Sequence, residues 1–171
     1  MPEAPILPID DPLLKTASMP ITVVDDDVRA LADRMFMVMD RADGAGLAAV
    51  QIGVPKRLVV MDVRDADGTH HRMALVNPEI LEASDETEAN IEGCLSMPGY
   101  DIPVHRSARV RARYLDFDGT EHVVDATGAL AVCFQHEIDH TNGVLFTDRV
   151  SRLRRERAKA YFAKVRRRAS A

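Results

Sequence analysis

The residues with the clearest chemical potential lie in one short segment, His136–His140, with the sequence His-Glu-Ile-Asp-His. Residues four apart lie on one face of an α-helix, so the two imidazoles can bind one divalent cation together. Glu137 adjoins the first ligand and could accept a proton from a water at the metal without binding the metal itself. The alternative is a solvent-exposed helix with two unrelated histidines, because so short a pattern also arises by chance. The segment favours metal-dependent hydrolysis.

A catalytic metal site needs a third protein ligand, and the sequence offers two cysteines for it, Cys94 and Cys133. Cys94 follows Gly93, which lets the backbone come close, and a thiolate is a soft metal ligand. Cys133 lies three residues before His136, a spacing that a helix permits. It falls within the apolar run Leu130–Phe134, which favours core packing or the wall of a substrate pocket. The residues alone favour Cys94, although a free cysteine is most often simply a small buried side chain.

The segment Gly44–Gln51 is rich in small residues, which permit close approach of a backbone or a ligand. It lacks the order of glycines, and the lysine, that dinucleotide and phosphate loops require. Gln51 could donate a side-chain hydrogen bond to a ligand. Taken alone, the segment is typical of a turn that ends a helix.

Helices must position these groups, and three segments have the required signals. Asp25 to Asp27 offer N-cap candidates for a helix that Gly44 and Gly46 are expected to end. Its apolar residues follow at helical spacing: Val28, Leu31, Met35 and Val38. A second helix is predicted from about Gly128 to Thr141, with Asn142-Gly143 as its stop. A third covers roughly Ser151 to Arg168.

The middle of the chain is predicted to form strands at Arg57–Val63 and at His71–Asn77, the second closed by Pro78. Apolar and basic residues alternate from Arg109 to Tyr114, which indicates a strand with one buried face. The turn Asp118-Gly119 precedes another strand, Thr120–Asp125. Because helices and strands are segregated, we predict an α+β fold, with mostly antiparallel sheets around a central metal-binding helix and a C-terminal helix. No repeat or linker interrupts the chain, so residues 1–171 are expected to form one domain.

Composition and charge limit the classes of function. The chain has 171 residues, 46% of them hydrophobic, and a net charge of −5, which suits an ordinary globular domain. Nine basic residues and one acid between Ser151 and Ala171 give that segment +8, so the other 150 residues carry −13. Such a basic segment suggests an acidic or phosphate-rich partner, or else a solvated helix face.

Compartment follows from three further features of the sequence. Two cysteines are too few for a disulfide framework and suit a reducing compartment. The first twelve residues have neither the basic nor the apolar region of a secretory signal. No apolar run is long enough to span a bilayer. We therefore expect a cytoplasmic protein that binds neither membrane nor DNA.

Three segments together resemble the signature motifs of the peptide deformylase family. They are Gly-x-Gly-Leu-Ala-Ala-x-Gln at 44–51, Glu-Gly-Cys-Leu-Ser at 92–96 and Gln-His-Glu-x-Asp-His at 135–140. The resemblance extends over nearly the whole chain. It implies that Cys94, His136 and His140 bind one divalent metal ion. It also implies that Fe2+ is the native ion, with Zn2+, Ni2+ or Co2+ able to substitute.

The resemblance also implies a reaction, the removal of the N-formyl group from the formyl-methionine of newly synthesised polypeptides, with release of formate. Glu137 would accept and return the proton, and the oxyanion would be held by the Gln51 amide and the Leu95 backbone N–H. The peptide would lie extended along the chain, and its methionine would enter an apolar pocket. The residues expected beside the substrate are Ala45, Gly46, Gly93, Val132 and Cys133, with His136 near the methionine pocket.

Departures from the family pattern raise an alternative, a deformylase-like paralogue with altered substrate or weak activity. At position 101, where many family members carry an arginine thought to contact the peptide, this chain has Asp101. Arg106 is a candidate to replace it. Thr141 and Met97 also depart from the pattern, as tolerable packing changes. A structural metal site in a ribosome-binding protein is less favoured, because it would need neither Glu137 nor Gln51. A protease with the same histidine motif is opposed by Cys94, which is not the usual third protease ligand.

The basic segment has a counterpart in the family's C-terminal helix, which can dock near the ribosomal exit tunnel. Residues 151–171 resemble such an element, and contact with ribosomal RNA would depend strongly on salt.

Overall fold

The computed structural model describes residues 5–171; the first twelve residues, which lack the features of a secretory signal, lie partly outside this range. The helices are α1 (Asp26–Arg41), α2 (Gly128–Thr141) and α3 (Arg152–Ala169), with single 3-10 turns at Pro12–Lys15, Ala49–Ile52 and Phe146–Arg149. The strands are β1 (Gly46–Ala48), β2 (Leu58–Arg64), β3 (His70–Ala83), β4 (Thr87–Cys94), β5 (Met97–Ser107), β6 (Arg109–Leu115) and β7 (Glu121–Thr127).

The strands form two antiparallel sheets. Five strands pair in the order β1-β2-β3-β6-β7, and β4 pairs with β5 in a separate hairpin. Helix α2 packs against strands of both sheets, so it lies at the centre of the fold. The predicted α+β class, with a central helix and a C-terminal helix, is confirmed. No helix among residues 5–171 is long and apolar enough to span a bilayer.

Strand β2 is buried on both faces, which explains its nearly continuous apolar sequence. Its alternate residues Leu58 and Val60 belong to the cluster that packs against α1. The residues between them, Val59 and Met61, belong to the cluster that contains the apolar residues of α2. Because side chains alternate across a strand, one strand joins the two halves of the core.

Helix α1 begins as the sequence predicts and ends earlier. The Asp25 carboxylate accepts a hydrogen bond from the Val28 N–H at 3.0 Å, which caps the first turn. The helix ends at Arg41, and Asp43 then adopts a left-handed backbone with φ of 53°. The prediction that Gly44 and Gly46 end the helix is therefore wrong. Gly46 instead begins β1.

Strand β3 does not end at Pro78. It continues to Ala83, with shifts in register against β6 between Val76 and Glu79 and again after Ile80. Proline has no N–H to donate, and such an irregularity accommodates it. Asn77, with φ of 50°, lies within the first shift.

The hairpin β4–β5 was not predicted, although the segments of β2, β6, β7, α2 and α3 were. In β5, the buried residues Ile102, Val104 and Arg106 alternate with exposed ones. This hairpin carries Cys94 at the end of its first strand, so it supplies one wall of the metal site.

Candidate metal centre

Helix α2 places both histidines of the motif on one buried face. His136 and His140 are 8% and 1% exposed, and their ring centroids lie 5.1 Å apart. The helix is held in this orientation because its apolar residues, among them Phe134 and Ile138, pack into the core beneath the five-stranded sheet. The two imidazoles therefore point into the protein, where they are shielded from bulk water.

Cys94 completes a three-ligand cluster with these histidines. Its Sγ lies 3.4 Å from the Nε2 of His140, and one ligand atom from each of the three residues lies within 4.8 Å of the others. All three residues are buried. Cys133 is directed elsewhere, with its Sγ 3.6 Å from the Ala45 carbonyl oxygen. The structure thus has a Cys/His/His metal site, and among residues 5–171 it groups Cys94 rather than Cys133 with the histidines.

A buried charge network orients His136. The Glu92 carboxylate accepts a hydrogen bond from Nδ1 of His136 at 2.8 Å, which leaves Nε2 of that ring for a metal ion. Arg106 donates to both oxygens of Glu92, at 2.8 and 3.0 Å, and to Asp139 at 2.6 Å. Arg149 then donates to both oxygens of Asp139. Burial alone would raise the pKa of Glu92, but the hydrogen bonds from His136 and Arg106 outweigh it and hold the pKa of that carboxyl below its usual range.

Sequence reasoning missed the roles of Glu92 and Asp139, although both lie inside the motifs it used. The available signal was that each carboxylate lies in the same motif as a metal ligand without being needed as a ligand itself. Arg106 was proposed to replace the missing substrate contact at position 101, and that interpretation is wrong. Its side chain is 3% exposed and bound between two carboxylates, so it cannot reach a peptide.

Glu137 lies beside the ligands with its carboxylate held in a tight space. It is 4% exposed, and its Oε2 atom has no hydrogen-bond partner among the described residues. A Cβ placed on Gly46 would lie 2.5 Å from Oε1 of Glu137, so only glycine at position 46 allows this approach. Burial raises the pKa of Glu137 to about 7. A carboxyl with that pKa can both accept and return a proton near neutral pH.

Gln51 reaches the cluster from the 3-10 turn Ala49–Ile52. Its Oε1 accepts a hydrogen bond from the Ala48 N–H at 2.9 Å, and this contact fixes which end of the amide faces the ligands. Its Nε2 lies 3.1 Å from the Ser96 hydroxyl and 3.6 Å from Sγ of Cys94. The amide therefore directs N–H groups toward the metal site.

A cleft of about 540 Å³ opens onto these groups, and we refer to it as the central cleft. It is lined by the loop before β1, by residues of β1, β2, β4, β5 and α2, and by the turn between β4 and β5. The sequence-predicted residues that line it are Ala45, Gly46, Gly93, Cys94, Leu95, Val132, Cys133, His136 and Glu137. His140 and Gln51 lie behind this surface, at 1% exposure each.

The donors and their surroundings are those of a hydrolytic metal centre rather than a closed structural site. Three protein ligands leave a coordination position free, as catalytic sites require. Glu137 lines the cleft and has a buried carboxylate oxygen without a hydrogen-bond partner among residues 5–171, for which a structural site would have no use.

Comparison with known proteins agrees with this geometry. The chain matches the family described as polypeptide deformylase over residues 3–156. It is 52% identical to the peptide deformylase of Phenylobacterium zucineum over 153 residues, which cover 90% of each chain. The crystal structure of peptide deformylase from Ehrlichia chaffeensis superposes with a TM-score of 0.91 at 38% identity, covering 98% of both chains. A structure of the Ehrlichia enzyme in complex with actinonin gives a TM-score of 0.89 at 39% identity, again over 98% of both chains. The chain therefore belongs to the polypeptide deformylase family.

Proposed function

We propose that this chain removes the N-formyl group from the formyl-methionine of newly synthesised polypeptides and releases formate. One observation carries the proposal. In a member of the deformylase family, Cys94, His136 and His140 converge at a cleft where the Glu137 carboxylate has an unpartnered oxygen.

Cys94, His136 and His140 would hold one divalent metal ion. The donor set fits such an ion, because the three ligand atoms converge within 4.8 Å and Glu92 already occupies the other nitrogen of His136. A thiolate with two imidazoles suits several first-row metals. We take Fe2+ as the native ion because the family resemblance implies it, with Zn2+, Ni2+ or Co2+ able to substitute. When bound, the ion supplies a Lewis acid that polarises a carbonyl and lowers the pKa of water.

Glu137 carries the proton through the reaction. It accepts a proton from water as the water oxygen bonds to the formyl carbon. It then delivers that proton to the methionine nitrogen as the carbon–nitrogen bond breaks, so formate and a free amine leave. A pKa of about 7 suits both transfers. The role is supported by the position of the carboxylate, which lies next to the cluster and has an unpartnered oxygen.

Gln51 and Leu95 stabilise the oxyanion that forms on the formyl oxygen. The Gln51 Nε2 group is fixed beside Cys94, since Ala48 binds the other end of the amide. Leu95 directly follows Cys94 in the turn between β4 and β5, so its backbone N–H lies next to the ligand. Removing one such donor typically lowers the rate by about 10²–10³.

The peptide binds as an extended strand between β1 and β4. Among the described strands, each of these two pairs with a single neighbour, β1 with β2 and β4 with β5, and both line the central cleft. An edge strand can bind a peptide through main-chain hydrogen bonds. Ala45, Gly46 and Gly93 would lie along the peptide backbone, and Val132, Cys133 and the ring of His136 would form the methionine pocket.

The proposed function has a direct test. The chain is purified without oxygen, loaded with Fe2+ or Ni2+, and given the peptide formyl-Met-Ala-Ser. We expect stoichiometric release of formate from the formyl peptide, measured with formate dehydrogenase. The control peptide acetyl-Met-Ala-Ser should give no free amine, measured with fluorescamine. Metal-loaded protein that releases no formate would exclude the function.

The partner and the location form a second part of the proposal. We propose that residues 1–171 act as one cytoplasmic domain and that its basic segment, residues 151–171, docks on the ribosome near the exit tunnel. Nine basic residues in that segment support docking on RNA. Ala158 is buried and Phe162 is half-buried, so α3 is anchored to the body and can present its cations outward.

Charge-neutralising variants test docking better than truncation, because α3 contributes to the core. We expect the triple variant Arg157→Gln, Lys164→Gln and Arg168→Gln to weaken cosedimentation with ribosomes. The slope of log affinity against log salt should fall by about one for each of these cations that binds a phosphate in the parent chain. The matched control carries Arg157→Lys and Arg168→Lys and keeps Lys164, so it retains the positive charge of the parent chain. Equal binding by both variants would exclude docking through these side chains.

A further inference from the structure

The central cleft has an unbalanced charge. Its charged lining consists of carboxylates and one histidine, and no lysine or arginine among residues 5–171 lines it. Two of the four carboxylates are committed to other roles, because Arg106 neutralises Glu92 and Glu137 takes part in proton transfer. Asp43 and Asp101 remain, and both are exposed.

Asp101 lies close to the reacting centre. A Cβ placed on Gly93 would collide with Oδ1 of Asp101, so the carboxylate packs directly over the backbone at that position. Gly93 immediately precedes the ligand Cys94, and consecutive Cα atoms are about 3.8 Å apart. Any peptide lying along β4 therefore passes this carboxylate soon after its first residue.

Asp43 adds a second negative charge to the same lining. It follows α1 in a left-handed conformation, with φ of 53°, and precedes Gly44. A Cβ on Gly44 would lie 2.6 Å from Cδ1 of Leu95, so this loop lies against the turn that follows Cys94. Neither Asp43 nor Asp101 forms an ion pair with another residue in the range 5–171.

We infer that Asp101, with Asp43, makes the cleft selective for formylated chains that carry lysine or arginine within the first few residues after methionine. This inference rests on the proposed function and names the class of substrate that the site prefers. A formylated N-terminus is uncharged, so the charge of the substrate near the cleft comes from its side chains alone. Because an extended chain advances about 3.3 Å per residue, residues two to four lie within roughly 10 Å of the scissile bond.

The expected preference is modest, because both carboxylates are exposed. A pair of exposed charges contributes weakly to binding. Replacing lysine in the peptide by glutamate both removes an attraction and adds a repulsion, so the two weak effects add. We expect kcat/KM to be about three- to tenfold higher for lysine peptides than for glutamate peptides at low salt. The ratio should approach one at about 1 M salt, where the Debye length is only about 3 Å.

The experiment compares peptides that differ only in charge and its position. The neutral peptide is formyl-Met-Ala-Ala-Ala with an amidated C-terminus, and each alanine is replaced in turn by lysine or glutamate. Formate release by the nickel-loaded chain gives kcat and KM for each. A second readout is the equilibrium dissociation constant of the same peptides with the Glu137→Gln variant, measured by calorimetry. Binding to this variant does not depend on turnover.

Variants assign the preference to particular side chains. Asp101→Asn should bring the lysine-to-glutamate ratio close to one, and Asp101→Arg should bring it below one. Asp43→Asn should lower the ratio less, and asparagine tolerates the left-handed backbone at that position. The control is Asp118→Asn, in the exposed turn before β7, which should leave the ratio as in the parent chain.

The outcomes separate the two levels of the proposal. Equal rates and equal dissociation constants for lysine and glutamate peptides would overturn charge selection while leaving deformylation in place. A preference that persists in Asp101→Asn would overturn the assignment to Asp101. If no peptide is deformylated, the proposed function fails, and the dissociation constants still decide whether the cleft selects cations.

Discussion

Replacing Glu137 by glutamine should reduce formate release by about 10⁴-fold while the protein keeps its metal. General acid–base catalysis by one side chain typically contributes about 10²–10⁴ in rate, and in the proposed mechanism a single carboxylate performs both proton transfers. Glutamine has the same shape and fits the space beside Gly46, but it can neither accept the proton of water nor return it. The defect should therefore appear in kcat, with KM nearly unchanged.

Metal content is the measurement that makes this result specific. Elemental analysis of Glu137→Gln should give one ion per chain, as in the parent, because Glu137 does not belong to the ligand cluster. The Gly46→Ala variant provides a second comparison, since its methyl group would push on the intact Glu137 carboxylate. Activity of Glu137→Gln within tenfold of the parent would remove Glu137 from its role as proton carrier.

The elements that depend on local signals were predictable from the sequence. Helix α2 starts and stops where the sequence predicts, since apolar residues fill its first turns and Asn142 with Gly143 ends it. Gly143 has φ of 72°, which few other residues adopt. Helix α1 starts at its predicted cap for the same kind of reason, a contact between residues three apart.

The hairpin β4–β5 was not predictable because its strongest signals conflict. Strand β5 contains two prolines, Pro98 and Pro103, which argue against a strand. Its buried face also includes the cation Arg106, where an apolar residue would complete the alternating pattern. Arg106 is tolerated there only because Glu92 and Asp139 neutralise it, and these partners lie 14 and 33 residues away.

For the site as well, contacts between residues near in sequence were predictable and contacts between distant residues were not. The motif at 136–140 was enough to pair His136 with His140, since helical spacing alone brings these two side chains together. The choice between Cys94 and Cys133 needed the resemblance to a family, and then the fold. The sequence showed that Asp101 departs from the family pattern. Its effect on the charge of the substrate site could be inferred only from the cleft, which no lysine or arginine among residues 5–171 lines.

The two cysteines should respond oppositely to the same substitution. Cys94→Ala removes one of the three proposed ligands, so we expect metal affinity to fall by more than the 10–100-fold typical for loss of an outer partner, and activity to fall below about 1%. Cys133→Ala should keep one metal ion per chain and most of its activity. Burial raises the pKa of the Cys133 thiol well above its ordinary value, so it stays protonated and is a poor ligand.

Cobalt substitution separates ligand loss from misfolding. The parent chain and Cys133→Ala should both show the thiolate-to-cobalt charge-transfer absorption, and Cys94→Ala should lack it. Both substitutions remove one buried sulfur, so their costs in stability, about 1 kcal/mol each, should be similar. Thermal unfolding of the metal-free proteins checks that similarity. The absorption would persist in Cys94→Ala only if another thiolate bound the metal. In this chain that thiolate could come only from Cys133, whose Sγ now contacts the Ala45 carbonyl oxygen in the wall of the cleft.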